Sequence, residues 1–131
     1  RGRGRLGREW SSPAGGLYFS LGQPLAAGAS VQPTVSLIVG LHLADALTAR
    51  GFAGIQVKWP NDLVANGAKL AGILVERLPR ALVVGVGINR AVSGIADLPA
   101  DRRAIGLDQL GDTAIDDALL GFQRPSRLGL Q

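Results

Sequence analysis

The sequence predicts an α+β domain, and three observations predict it. Short runs rich in β-branched and aromatic residues recur along the chain, one long helical period interrupts them, and an Asn-Gly dipeptide between two of the runs favours a tight hairpin. In order, "LYFSL" (Leu17 to Leu21) reads as the first strand, after the turn chemistry of "SSPAGG". "GQPLAAGAS" is a loop. From Ser30 to Arg50, Val35, Ile38, Val39, Leu43, Ala46 and Leu47 follow helical spacing; Ser30 is placed to cap the start, Pro33 falls in the first turn and Gly51 supplies the stop. "IQVKW" (Ile55 to Trp59) alternates as a strand and ends at Pro60, "DLVA" and "KLAGILVE" flank Asn66-Gly67, and "ALVVGVGIN" is the next strand. Ser93 to Gly111 reads as a loop with a short turn, and "DTAIDDALLGF" as a second helix, capped by Asp112 or Thr113 and ended by Pro125.

The bulk numbers bound the classes of function. At 131 residues, with 47% hydrophobic and 18% charged residues, the chain has the balance of one soluble globular domain. Its longest apolar run, "ALVVGVGI", is far short of the roughly 20 residues a bilayer span needs, and no basic-then-apolar leader precedes it. A cytoplasmic protein is expected. The chain has no cysteine, which removes disulfide frameworks and thiolate metal sites. His42 is the single histidine and sits in the helical stretch, where it reads as a packed or surface residue rather than a base or metal ligand. The chain has no methionine, so sequence upstream of Arg1 is expected. The net charge of +4 is concentrated in "RGRGRLGR" instead of spread along a face, which points to one local anion site.

Three stretches can carry chemistry. "RGRGRLGREW" holds four arginines and three glycines in ten residues. A run so basic and so rich in glycine is not expected to pack in a core or hold a regular element, which leaves a solvated tail, a nucleic-acid arm or a loop that closes on an anion. In "ALVVGVGIN" a period of two puts Val84, Val86 and Ile88 on one face and Gly85, Gly87 and Asn89 on the other. That bare face suits something lying flat on the sheet; a bulge or a close helix crossing is the competing reading. "KWPNDL" sets Lys58, Asn61 and Asp62 around a proline-fixed turn, a set that suits a phosphate and its Mg²⁺ but also an ordinary loop. Lysine usage favours the former. The chain has 12 arginines and two lysines, Lys58 and Lys69, one on each side of the expected hairpin. A compact ammonium suits an oxygen being attacked or leaving, whereas a guanidinium fork suits holding a planar group. Glu76 and Arg77 read as solvated charges.

Taken together, "GRGRLGREW", "KWPNDL", "KLAGILVE" and "GVGIN", in this order and at this spacing, resemble the catalytic domain of the biotin protein ligases, over Gly2 to about Asn89. The resemblance implies a mixed β-sheet with helices packed on one face, a fold shared with lipoate ligases and class II aminoacyl-tRNA synthetases. It implies two steps: the biotin carboxylate attacks the α-phosphate of ATP to give biotinyl-5′-AMP and pyrophosphate, and the adenylate then acylates a lysine of a carrier domain. The substrates are thus biotin and ATP, with Mg²⁺. The partner is a biotin carboxyl carrier protein or the biotin-accepting domain of a carboxylase, a homodimer is open, and neither membrane nor nucleic acid is expected. By the same resemblance Gly2, Arg3 and Arg5 belong to the loop that covers biotin and the adenylate, Arg8 adds charge to it, and Trp10 packs on the adenine. Lys69 contacts the biotin carboxylate and the reacting phosphate oxygens, so catalysis falls to Lys69 and Arg5, while Gly72 and Ile73 line the biotin pocket. Lys58, Asn61, Asp62 and Asn89 fall on the nucleotide side, with Asp62 the candidate metal ligand. The family's Ser/Thr-rich turn and Gln that recognise biotin would lie upstream of Arg1, and its small C-terminal barrel has no counterpart, so residues 1–131 are expected to form a partial catalytic domain. The alternatives are a lipoate or octanoate ligase, an inactive fragment of the ligase, and a nucleic-acid-binding module that uses the RGRGR arm. The last lacks the interleaved aromatics that stack on single strands.

Overall fold

A computed structural model describes residues 2–12, 16–92 and 102–111. The expected second helix, with its caps and Pro125, lies outside the described residues, as does the 93–101 part of the expected loop. The rest is an antiparallel sheet covered on one face by a single helix. Strands β3 (Leu17–Pro24), β4 (Gln56–Lys58), β5 (Asp62–Ala65), β6 (Ala68–Leu78) and β7 (Ala81–Ile88) form a sheet in the order β3-β7-β6-β5-β4. Helix α1 (Val35–Ala49) connects β3 to β4, and β1 (Gly2–Arg3) pairs with β2 (Glu9–Trp10) as a separate ribbon. All ladders among the described residues are antiparallel. The parallel component of the expected mixed sheet is confined there to one bridge, Lys69 to Ala104.

Local chemistry accounts for the joints. Asn66 and Gly67 both take positive φ, 50° and 70°, which a two-residue hairpin turn requires, and Ala65 pairs with Ala68 across them. The helix ends as its sequence signals. Gly51 takes φ 94°, its N–H donates to the Thr48 carbonyl, and the Phe52 N–H reaches back to the Leu47 carbonyl, the paired bonds of a Schellman stop. Phe52 and Leu47 are both buried there. The helix start differs from expectation: Thr34, not Ser30, occupies the N-cap, and its side chain makes no capping bond. Pro33 is the reason, since it disfavours helical geometry at Gln32; the Val35 N–H closes a turn on the Gln32 carbonyl instead.

The core lies between α1 and the sheet. Val84, Val86 and Ile88 of β7 are buried on this face, as the period of two predicts. The buried stripe of α1 is Gly40, Ala44 and Leu47, with Val35, Val39 and Leu43 partly covered, while Ile38 is 51% exposed despite its helical spacing. Small residues in the stripe bring the helix axis close to the sheet. A Cβ on Gly40 would sit 3.3 Å from Ile73 Cδ1 and 3.4 Å from Val57 Cγ1. Gly40→Val therefore overpacks the helix–sheet contact and should lower stability by about 1–3 kcal/mol. Urea unfolding checks this, and an unchanged midpoint would show that the helix can back away freely.

Candidate functional site

The opposite face of the sheet carries the site. Residues paired across antiparallel strands point to the same face, and the registers place Lys58, Asp62, Gly72, Gly87 and Tyr18 in one row across β4, β5, β6, β7 and β3. The row offers a cation and a carboxylate at one end, a phenol at the other, and two paired glycines between them. The next row over includes Gly85, between Leu74 and Ser20. The middle of the sheet is thus bare backbone.

What lies on it is Trp10. A Cβ on Gly72 would fall 2.9 Å from the indole, and one on Gly87 would fall 2.9 Å from Nε1, so glycine at both positions is what lets the ring approach. The bare face predicted in "GVGIN" is therefore covered by an aromatic plane from this chain's own loop. That loop has more regular structure than its composition predicts: β1 and β2 pair Gly2 with Trp10 and Arg3 with Glu9, and the Gly4 N–H donates to the Arg8 carbonyl at 2.6 Å. Its tip turns through Leu6 and Gly7, both at positive φ, with Leu6 87% exposed. Two contacts explain the order in so basic a run. Trp10 packs against Gly2 as well as the sheet, and the Arg3 guanidinium sits 3.6 Å from Glu76. Glu76 and Arg77 are accordingly partnered rather than merely solvated, since Arg77 donates to the Ala29 carbonyl.

Lys69 stands beside this floor. Its ammonium lies 2.9 Å from Asp62 Oδ1 and 4.8 Å from the centre of the Trp10 ring. Asp62 Oδ1 is buried and, among the described residues, meets no hydrogen-bond donor besides that ammonium. Lys69 and Gly72 are three residues apart, so a regular strand would send them to opposite faces; a bulge brings them together. Leu63 pairs with Ala71 but Val64 pairs with Lys69, which leaves Leu70 extra in β6 and inverts the alternation at that point. Leu70 and Ala71 are adjacent and both wholly buried.

The remaining predicted residues divide into those that face the cleft and those that hold it. The cleft, about 1170 Å³, is bounded by Arg3, Arg5, Arg8, Lys58 and the floor. Asn61 works as a brace: its side-chain amide donates to the Ile73 carbonyl, and its own carbonyl accepts from the Ile73 N–H. Ile73 turns its side chain to α1, under Gly40, so it borders the cleft with its backbone. Asn89 is 5% exposed and donates from Nδ2 to the Lys69 carbonyl.

Sequence reasoning missed three contributors. Arg102 and Arg103 line the cleft from a segment read as loop, and Arg103 donates to the Asn66 carbonyl at the hairpin. With them the lining has, among the described residues, seven cationic side chains against three carboxylates, a balance suited to a polyanion. The third, Tyr18, was read as an aromatic strand residue, and only the register reveals it as the end of the row. Burial raises its pKa above the ordinary value. Among the described residues no three His, Cys, Asp or Glu side chains gather as a metal site, and no helix is long and apolar enough to cross a membrane.

Comparison with known proteins gives the chain its family. The chain is 39% identical over 116 residues to the bifunctional ligase/repressor BirA of Escherichia coli, an alignment that covers 84% of this chain and 36% of BirA. Among solved structures, the biotin protein ligase of Aquifex aeolicus in complex with biotin and ATP superposes with a TM-score of 0.73 at 33% identity, covering 90% of this chain and 50% of that one. The Leishmania major biotin protein ligase in complex with biotinyl-5-AMP gives 0.73 at 29% identity, covering 92% and 56%. The chain thus spans between about a third and just over half of these relatives. The sequence profile of the biotin/lipoate A/B protein ligase family matches residues 1–92, well over half of the sequence, and the chain belongs to that family.

Proposed function

We propose that this chain provides the adenylate-forming face of a biotin protein ligase, which activates biotin as biotinyl-5′-AMP and passes it to a lysine of a biotin-accepting carboxylase domain in the cytoplasm. The observation that carries the reading is the Lys69 ammonium, 2.9 Å from Asp62 and beside the glycine floor on which Trp10 lies, next to an arginine-rich loop. In the first step the biotin carboxylate attacks the α-phosphate and pyrophosphate leaves; in the second the carrier lysine attacks the acyl carbonyl and AMP leaves.

The difficulty of the first step is electrostatic, because a carboxylate must approach a polyphosphate. Lys69, a point charge, stabilises the oxygens on which charge builds, and Arg5 neutralises the same group from the loop. Gly2, Arg3 and Arg8 close over the ligand and keep water from the mixed anhydride. Gly72 and the Ile73 backbone form the biotin side. Lys58, Asn61, Asp62 and Asn89 form the nucleotide side, with Trp10 against the base. A magnesium ion carried by the nucleotide would fit the residues present, since Mg²⁺ commonly takes one or two carboxylates plus substrate phosphates and Asp62 offers a partly buried carboxylate beside the cleft. Such an ion would offset phosphate charge. Lys69, beside Asp62, faces the reacting oxygens from the same side of the cleft.

Calorimetric titration with biotin and ATP tests the reading: binding of both, with pyrophosphate released, is expected, and no heat from either ligand alone or together would remove it. Competition between biotin and lipoate decides the acyl group, with biotin expected to win. Lys69→Ala should slow adenylate formation by roughly 10²- to 10³-fold, the range for loss of one preorganised donor, and Lys69→Arg should restore little. A near-normal rate in a folded Lys69→Ala protein would move the role to Lys58. Gly87→Val should leave the helix–sheet core intact, since the clash is with the Trp10 ring on the opposite face, but should displace that ring and weaken biotinyl-adenylate binding at least about tenfold. Unchanged affinity would mean that the ligand lies elsewhere.

A further inference from the structure

Lys69 faces the cleft only because β6 is bulged at Leu70, and a shift of that bulge by one residue would replace it with Leu70. Something must therefore define the bulge. Asn89, just past the end of β7, touches both of its residues: its Nδ2 donates to the Lys69 carbonyl at 3.1 Å and its backbone N–H donates to the Leu70 carbonyl at 2.9 Å. It is the one buried polar residue among those described. Its own carbonyl is held by the Leu107 N–H, so the amide cannot drift. On the far side of Lys69, the Arg103 carbonyl accepts from the Lys69 N–H and the Ile105 N–H donates to the Lys69 carbonyl, at 2.8 and 2.9 Å.

We infer that Asn89 is a positioning residue for Lys69: its two donors fit the bulged register alone, and they hold the lysine on the Gly72 face with its ammonium against Asp62. This deepens the ligase reading and rests on it for its catalytic consequence. It adds to the part given to Asn89 by resemblance, since Nδ2 is engaged by the protein's own backbone. A donor lost here leaves the strand paired but its register less defined. The effect should fall on the placement of the ammonium rather than on affinity for the nucleotide.

The chain's two lysines supply an internal reference. The full chain, wild-type and Asn89→Ala, is acetylated with limiting acetic anhydride, and the Lys69 to Lys58 ratio is read by mass spectrometry. The inference expects the ratio to rise several-fold in Asn89→Ala as Lys69 leaves Asp62, and kcat for adenylate formation to fall about tenfold with the KM for ATP unchanged. An unchanged ratio, or a KM effect with kcat preserved, overturns it and makes Asn89 a nucleotide contact. If circular dichroism shows Asn89→Ala unfolded, Asn89→Ser, whose hydroxyl is too short to reach the Lys69 carbonyl, takes its place under the same two criteria. Should the wild-type chain form no adenylate, the labelling ratio alone judges the clamp, and the ligase reading fails separately.

Discussion

The arrangement depends on one constraint: the same strands must bury side chains on the α1 face and present almost none on the other. Alternation along β7 meets it directly, with Val84, Val86 and Ile88 in the core and Gly85 and Gly87 opposite. Glycine weakens a strand, so two in eight residues carry a cost that the neighbours must offset. They do so by position. β7 is flanked on both sides by full-length partners, β3 and β6, and its core face packs with wholly buried Ile88. The bare patch sits in the best-supported strand of the sheet, and the flexibility of glycine is not expressed there.

A floor without side chains needs a cover, and the cover needs charge. Trp10 supplies an apolar plane that shields the exposed peptide groups of Gly72 and Gly87, and the arginines of the loop surround it. These features support one another. Clustered cations repel, and no core holds the loop, but the indole anchors it at one end and Glu76 meets Arg3 at the other. An incoming polyanion would relieve the repulsion that remains. Under the proposed function, ligand binding and loop closure would be coupled through the same charges.

Much of this was legible from residues alone, and the limits have physical causes. The hairpin at Asn66-Gly67, the helix stop at Gly51 and the two faces of β7 followed from local rules, because positive φ and period-two burial are properties of a few adjacent residues. The helix start was misplaced because Ser30 is a good cap by type, whereas Pro33 decided the geometry. Arg102 and Arg103 were missed because their place depends on a bridge between Lys69 and Ala104, a contact 35 residues apart that no local pattern encodes. Tyr18 was missed for a related reason: membership of a row is a property of four registers, each set by a different pairing. The basic loop was judged too disordered because composition records the repulsion of its arginines and not the single indole that holds it.

Lys69 shows how a residue can be singled out from sequence while its geometry stays hidden. Lysine usage and the family resemblance both singled it out, yet strict alternation in "KLAGILVE" would point it away from Gly72 and toward α1. The resolving feature was present as an irregularity. Leu70 and Ala71 are neighbouring apolar residues between a lysine and a glycine, and a strand with one solvent face buries two neighbours only where it is bulged. Read as a break in phase, that doublet places Lys69 and Gly72 on one face without any homologue. It also explains why the lysine's backbone is so heavily bonded, by Asn89, Arg103 and Ile105, at a point where its ladder with β5 is irregular. The bulge frees the register, and the surrounding bonds fix it in the one phase that delivers a cation to the cleft.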